Sequence, residues 1–266
     1  MEIFKKIRPL CIVASTVLVS IIIWDLVIRV FKIPDFLVPP PLAVLNQFTG
    51  KSLSLLITHS LITLYETGLG FILGIVIGVS LAILIVYSPF LQTAFYPLLV
   101  VAQVIPKLAL APLILIWFGY GILSKVVISF LISFFPIIVN TASGLRDVEP
   151  EMIDLVTSLN ATKWQVFKKI RLPNSLPHLF SGLKISITFA VIGAIVGEFV
   201  GADTGVGYLI IIATHELKTA LLFAAIIMSS IIGILAYGVI VLLEKILIPW
   251  GVVEEGEAEV LGKILK

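Results

Sequence analysis

Ionisable side chains are few in this 266-residue chain, and their spacing argues against catalysis on the chain itself. His59, His178 and His215 share no metal-ligand spacing, so no metal site is expected. The Asp and Glu residues are dispersed rather than clustered, which disfavours a membrane enzyme. Cys11 is the sole cysteine and falls in an apolar run, where it reads as a small hydrophobe; no intramolecular disulfide is possible. What stands out is a polar, basic stretch from Asp154 to Pro173, DLVTSLNATKWQVFKKIRLP. Residues 151–159 suit one short helix, and Asn160 suits a turn because Asn tolerates left-handed backbone. A second helix, about Thr162 to Ile170, is expected to stop before Pro173, with Pro177 reinforcing the break. On it Trp164, Phe167 and Ile170 make an apolar face among Lys163, Lys168, Lys169 and Arg171. Two readings fit such an element: a helix docking in a partner's groove, or a basic helix lying on anionic lipid.

The elements that position this stretch are apolar. Hydrophobic residues make up 59% of the chain, mean hydropathy is +1.18, and charged residues are 13%, about half the roughly 25% of soluble domains. The chain reads as an integral membrane protein, all-α and polytopic, with about six transmembrane helices. The net charge of +2 gives no reason to expect nucleic acid. The first span follows Lys5, Lys6 and Arg8. It resembles a signal peptide, but no small-x-small site follows and apolar character continues to about Val30, so a retained helix is expected. Asp25 and Arg29 share a face near its end and can pair. Residues 67–106 lack Asp, Glu, Lys, Arg and His, enough for two spans, at about 60–87 and 91–117, with a break at Ser88-Pro89. The others are about 123–140, ending near Pro136, 180–199 and 221–243. Residues 31–60 form the main extracytoplasmic connection. Lys and Arg concentrate on the side holding the termini and the 154–173 stretch, so that side is expected to be cytoplasmic.

Within the spans, Gly70, Gly74 and Gly78 form one stripe and Gly193, Gly197 and Gly201 another, which predicts close helix packing in the bundle interior. Pro97, Pro106 and Pro112 interrupt the third span, and Gln103 and Lys107 flank its central proline. Broken backbone at membrane depth favours a pathway-lining segment, although Lys107 could equally snorkel to the interface. Glu66 and Glu198 are the acidic residues nearest span interiors. They read as structural partners or interface groups, with contact to a solute as the alternative. Gln103, Lys107 and Glu198 are the candidate pathway residues. Glu254, Glu255, Glu257 and Glu259 read as a solvated tail.

The spacing of the polar stretch resembles the EAA loop of ABC importer permeases: Glu-Ala-Ala, three residues, Gly, nine residues, Ile-x-Leu-Pro. Asp154-Leu155-Val156 takes the first place, Asn160 the glycine's, and Ile170, Leu172 and Pro173 match in register. Residues 106–121 with Ser124-Lys125, 172–184 and 197–208 resemble the nitrate/sulfonate/taurine branch of these permeases, so the likeness runs from about residue 35 to 245. The resemblance implies a type I importer (MetI-like) core at 35–245, after an N-terminal segment and first helix at 1–34 and before a tail at 246–266. Its coupling loop would lie at about 145–178. It further implies dimerisation, expected here as a homodimer, docking on cytoplasmic ABC ATPase subunits, and solute delivery by an extracytoplasmic binding protein. Asp154, Asn160, Trp164, Phe167, Ile170, Leu172 and Pro173 would carry the ATPase coupling. No Gly-x-x-x-x-Gly-Lys-Ser/Thr loop occurs, which fits nucleotide binding on another chain; no resident cofactor is expected. A secondary transporter working without an ATPase is the alternative, although no clear internal repeat or buried ion site supports it. The implied solute is nitrate-, sulfonate- or taurine-like, or a related small anion or heterocycle.

Overall fold

The computed structural model describes the backbone of residues 2–250, and side chains there except at 2–11, 13, 14, 95–100, 102 and 103. Cys11, the N-terminal basic residues and the acidic tail therefore lie outside the described side chains. Every regular element is helical among these residues. α1 spans Glu2–Phe31 and carries the expected Asp25–Arg29 pair, at 2.6 Å. After the short α2 (Pro41–Asn46), α3 runs from Gly50 to Tyr87, starting about ten residues earlier than expected. Residues 50–60 extend the apolar helix outward, and Leu56 there is fully buried. The connection from α1 is correspondingly shorter.

Among the described residues, four stretches are long and apolar enough to cross a membrane by length and composition: α3, α6 (Ile122–Arg146), the continuous helical run Lys163–Gly201, and α11 (Thr219–Leu247). The apolar stretch predicted as a third span is divided. α4 (Pro89–Val104) ends at an extended Ile105, a 3-10 turn covers Lys107–Leu110, and α5 (Ala111–Phe118) follows. Pro106 makes the break, whereas Pro112 sits in the first turn of α5, where a missing N–H costs nothing.

Two predicted helix ends do not occur. α6 continues through Pro136 to Arg146, and α9 (Leu172–Gly201) begins next to Pro173 and continues through Pro177. A buried proline leaves a carbonyl without its helical partner and crowds another. At Pro136 the neighbourhood supplies polar contact: Asn140 Nδ2 donates to Pro136 O at 2.9 Å, and α9 lays Gly182 beside that carbonyl. The carbonyl left without its helical partner is that of Ile132, one turn earlier, and the Asn140 bond reinforces the turn that follows the proline.

α6 is the central helix. Gly70, Gly74 and Gly78 of α3 and Gly193 and Gly197 of α9 pack on it, whereas Gly201 meets Tyr120 and Leu115. A Cβ placed on Gly70 would lie 2.5 Å from Ser129 Oγ, and one on Gly193 would lie 2.6 Å from Ser129 Cα. Ser129 is fully buried between them and donates to Ala190 O at 2.9 Å. Small residues allow this approach where lipid removes any hydrophobic drive between helices. Outside the core, Lys184 and Glu244 form a largely buried ion pair at 2.7 Å that ties α9 to α11, and Trp24 stacks near Phe223 to seat α1 on α11. The outer faces are apolar: Ile234, Leu235 and Ile116 are well exposed.

Gly193→Ala is expected to destabilise the protein by about 1–3 kcal/mol through overpacking against backbone. Gly238→Ala, with open space around its Cβ, should be neutral or slightly stabilising. Thermal unfolding of both variants in detergent micelles checks this.

Candidate functional site

The polar stretch folds as a two-helix hairpin whose turns are fully specified. α7 (Pro150–Ser158) starts with Pro150 in its first turn and Glu151 near its positive end. It closes at Asn160, where φ is 59°. Asn160 N donates to Thr157 O at 3.0 Å and Ala161 N donates to Val156 O at 3.1 Å. These two bonds are the Schellman pair that usually requires glycine, and Asn is the commonest substitute. α8 (Lys163–Val166) then begins with a reciprocal cap. Gln165 N donates to Thr162 Oγ1 at 3.3 Å, and Thr162 N donates to Gln165 Oε1 at 2.7 Å.

The second helix does not end before Pro173. A π-helical turn at Phe167–Arg171, with Leu172 N donating to Phe167 O, joins α8 directly to α9. Widening the helix by one residue per turn accommodates the proline ring without a stop. Trp164 remains 66% exposed, and Asp154 is exposed on α7. Phe167 turns inward, 5.4 Å from the Trp164 ring and 5.6 Å edge-on to Tyr87. Ile170, Leu172 and Pro173 are half-buried at the hairpin's root. There Asn174 Nδ2 donates to Asp147 O at 2.7 Å and reaches Gly144 O at 3.4 Å, and His178 Nε2 lies 3.3 Å from Asp147 Oδ2. Sequence reasoning missed Tyr87, Asn174 and His178. Asn174 alone left a signal, as a polar residue directly after the Leu-Pro pair.

The candidate pathway residues separate. The Gln103 side chain lies outside the described residues. Lys107 is half-buried, with its Nζ 5.2 Å above the Phe135 ring. Glu198 is 1% exposed and holds a junction of three helices. It accepts from Thr63 Oγ1 at 2.6 Å and from Gly207 N at 2.5 Å, the latter in the first turn of α10 (Val206–His215). Thr63 Oγ1 accepts in turn from Val206 N at 2.8 Å, and His59 Nδ1 accepts from Gly205 N at 2.9 Å. Unpaired N–H groups and the dipole favour a carboxylate at a helix N-terminus. Gly205 (φ 105°) and Gly207 are both needed, since a Cβ at either would run into Glu198. Glu66 is equally buried on α3, and Lys125 of α6 packs against Gly197 close enough to act electrostatically on both carboxylates. His59, His178 and His215 lie within helices rather than loops.

Residues 74–248, a continuous block that includes the hairpin and Glu198, match the family model described as binding-protein-dependent transport system inner membrane component. The chain belongs to this family. It is a multi-pass permease subunit of an ABC transport system, not an enzyme, and ATP hydrolysis belongs to a separate chain. Relatives of this permease include the formylaminopyrimidine transport permease protein ThiX of Halalkalibacterium halodurans, 40% identical, covering 88% of this chain and 93% of that one. The riboflavin transport system permease protein RibX of Chloroflexus aurantiacus is 35% identical, with 88% of each chain covered. The putative aliphatic sulfonates transport permease protein SsuC of Bacillus subtilis is 32% identical, covering 87% of this chain and 84% of that one. Among solved structures, an inward-facing MetNI methionine ABC transporter shares the fold, with a TM-score of 0.59, 20% identity, and coverage of 72% of this chain and 97% of that one.

Replacing Thr63 by Val removes a hydroxyl that both donates to a buried carboxylate and accepts a helix N-terminal N–H. The loss expected for such orphaned groups is about 1–3 kcal/mol. It should appear as a lowered melting temperature and faster proteolysis in the 202–205 connection.

Proposed function

We propose that this permease is the solute-conducting subunit of an ATP-driven importer, and that the 150–173 hairpin is its contact with the cytoplasmic ATPase. The observation that carries the reading is Trp164: a large aromatic ring kept in solvent at the tip of a doubly capped, stapled hairpin. Aromatic residues exposed on rigid elements are typical anchors for a partner's pocket. Glu151 and Asp154 on the same hairpin weigh against an anionic lipid surface. ATP binding can drive transport only if these contacts differ between two states of the permease. Asp154, Trp164 and Phe167 are the proposed transmitting residues, with Asn160, Ile170, Leu172 and Pro173 shaping the loop. Both termini are assigned to the cytoplasm by the Lys/Arg distribution. The proposed partners are a second copy of this chain and an extracytoplasmic solute-binding protein.

The pathway is assigned to the broken α4–α5 segment with Gln103 and Lys107. Lys107 fits a small anionic or π-rich heterocyclic solute, in keeping with the heterocycle and sulfonate names of the relatives. Glu198 serves this reading as a brace for the helices around the pathway.

Trp164→Ala and Asp154→Lys are each expected to abolish solute-stimulated ATPase activity while membrane insertion stays normal. Wild-type coupling in both variants, measured in proteoliposomes, would remove the assignment. Lys107→Gln should reduce uptake at least several-fold without altering co-purification of the ATPase; unchanged uptake would move the pathway elsewhere.

A further inference from the structure

Tyr87 is the last residue of α3, and two side chains of the π turn converge on its ring. Phe167 meets it edge-on, with ring planes at 86°, and the Arg171 guanidinium lies 5.7 Å from its centroid. Phe167 and Arg171 are four residues apart, so the segment presents both on one face toward Tyr87. Immediately beyond Tyr87 the chain is extended at Ser88 (φ −118°, ψ 108°), and α4 restarts at Pro89, capped by Ser88 Oγ, which accepts from Leu91 N at 3.3 Å. One extended residue therefore separates two rigid helices, and the hairpin touches the helix end right beside that joint.

The hairpin's other anchor is of a different kind. Asn174 and His178 tie its root to the end of α6 by hydrogen bonds, two of them to backbone carbonyls. That anchor fixes position. The Tyr87 side chain, half in solvent, meets the hairpin through side chains alone, the Phe167 ring and the Arg171 guanidinium, with no backbone carbonyl fixing its position.

We infer that Tyr87 is a positioning residue through which displacement of the hairpin reaches the α3–α4 joint and swings α4. The inference rests on the reading of the hairpin as the ATPase contact. It names the structural route by which a force on Trp164 and Phe167 would arrive at the segment carrying Lys107. An exposed tyrosine near a helix end could instead serve only as an anchor in the membrane interface, a role that tryptophan fills equally well. The two roles differ in what a leucine does. As a coupling contact, Tyr87→Leu disconnects α4 while the protein stays inserted; as an interface anchor, it alters insertion and leaves α4 coupled.

The test places nitroxide labels at Gln92 on α4 and Thr214 on α10, both exposed, in a Cys11→Ser background, with the permease co-expressed with the ATPase chain of its own system. Distances are read by electron spin resonance before and after trapping with ATP and vanadate, which needs no knowledge of the solute. Trapping is expected to shift the wild-type distance. Tyr87→Leu should lower the ratio of shifted to unshifted molecules by about two- to thirtyfold, the range for residues that carry coupling, with the ATPase still co-purifying. Tyr87→Trp should restore most of the shift, and Arg171→Gln should weaken it without touching the membrane core, so it also serves if Tyr87→Leu fails to insert. An undiminished shift in Tyr87→Leu, or in Arg171→Gln where the leucine variant is lost, overturns the inference alone. Absence of the ATPase from the wild-type preparation overturns the coupling reading and this inference with it.

Discussion

The architecture depends on how closely two helices can approach α6. Lipid tails are as apolar as leucine, so burying leucine between helices gains little; what remains is van der Waals contact and hydrogen bonding at short range. Gly70 and Gly193 deliver that from opposite sides onto Ser129, whose hydroxyl is satisfied by the Ala190 carbonyl. The buried contacts around α6 accordingly include many Gly, Ser and Thr residues, while large aliphatics such as Ile116 of α5 and Ile234 and Leu235 of α11 point outward. With α3, α6 and α9 locked together, every other element is attached to a rigid centre.

α9 connects the two ends of that centre. Its thirty residues correspond to about 45 Å of helix. Near one end, Glu198 gathers Thr63 and the start of α10; near the other, Asn174 and His178 hold the hairpin to the end of α6. Charged residues inside the bundle that are engaged in this framework include Glu198, held by donors, Lys125, held by the Tyr120 carbonyl at 2.9 Å, and Lys184, held by Glu244. A buried charge without such partners would cost several kcal/mol, so these residues make the bundle's internal register specific. In this light the Gly-Glu to Gly-Val-Gly segment at 197–207 has a physical meaning. Gly197 clears space for the Lys125 stem, Gly201 for the Tyr120 ring, and Gly205 and Gly207 for the Glu198 carboxylate, which caps the helix that follows.

The hairpin was readable in advance because it depends on local chemistry. Asn160 at the left-handed position, Thr162 and Gln165 in a reciprocal cap, and Pro150 in a first turn act over three or four residues. The helix ends read from prolines failed for the opposite reason. Pro136, Pro173 and Pro177 are breakers by local rules, but the helices run through them, with a π turn ahead of Pro173 and α9 packed on α6 at Gly182 beside Pro136, and such packing involves residues far apart in sequence. Glu198 was recognised as unusual, while Thr63, whose hydroxyl donates to it, lies 135 residues away in sequence.

The sequence by itself determined that this chain is an all-helical membrane protein, where its apolar segments lie, and which stretch stays polar. Hydrophobic length, glycine periodicity and turn chemistry are properties of contiguous residues, and the spacing of the hairpin belongs with them. Only the tertiary structure decided that glycines from both stripes meet one helix, that Glu198 is a capped junction, and that Tyr87 is the neighbour of Phe167 and Arg171. Those relations depend on which helices touch and at what rotation, which is set by packing across the whole bundle.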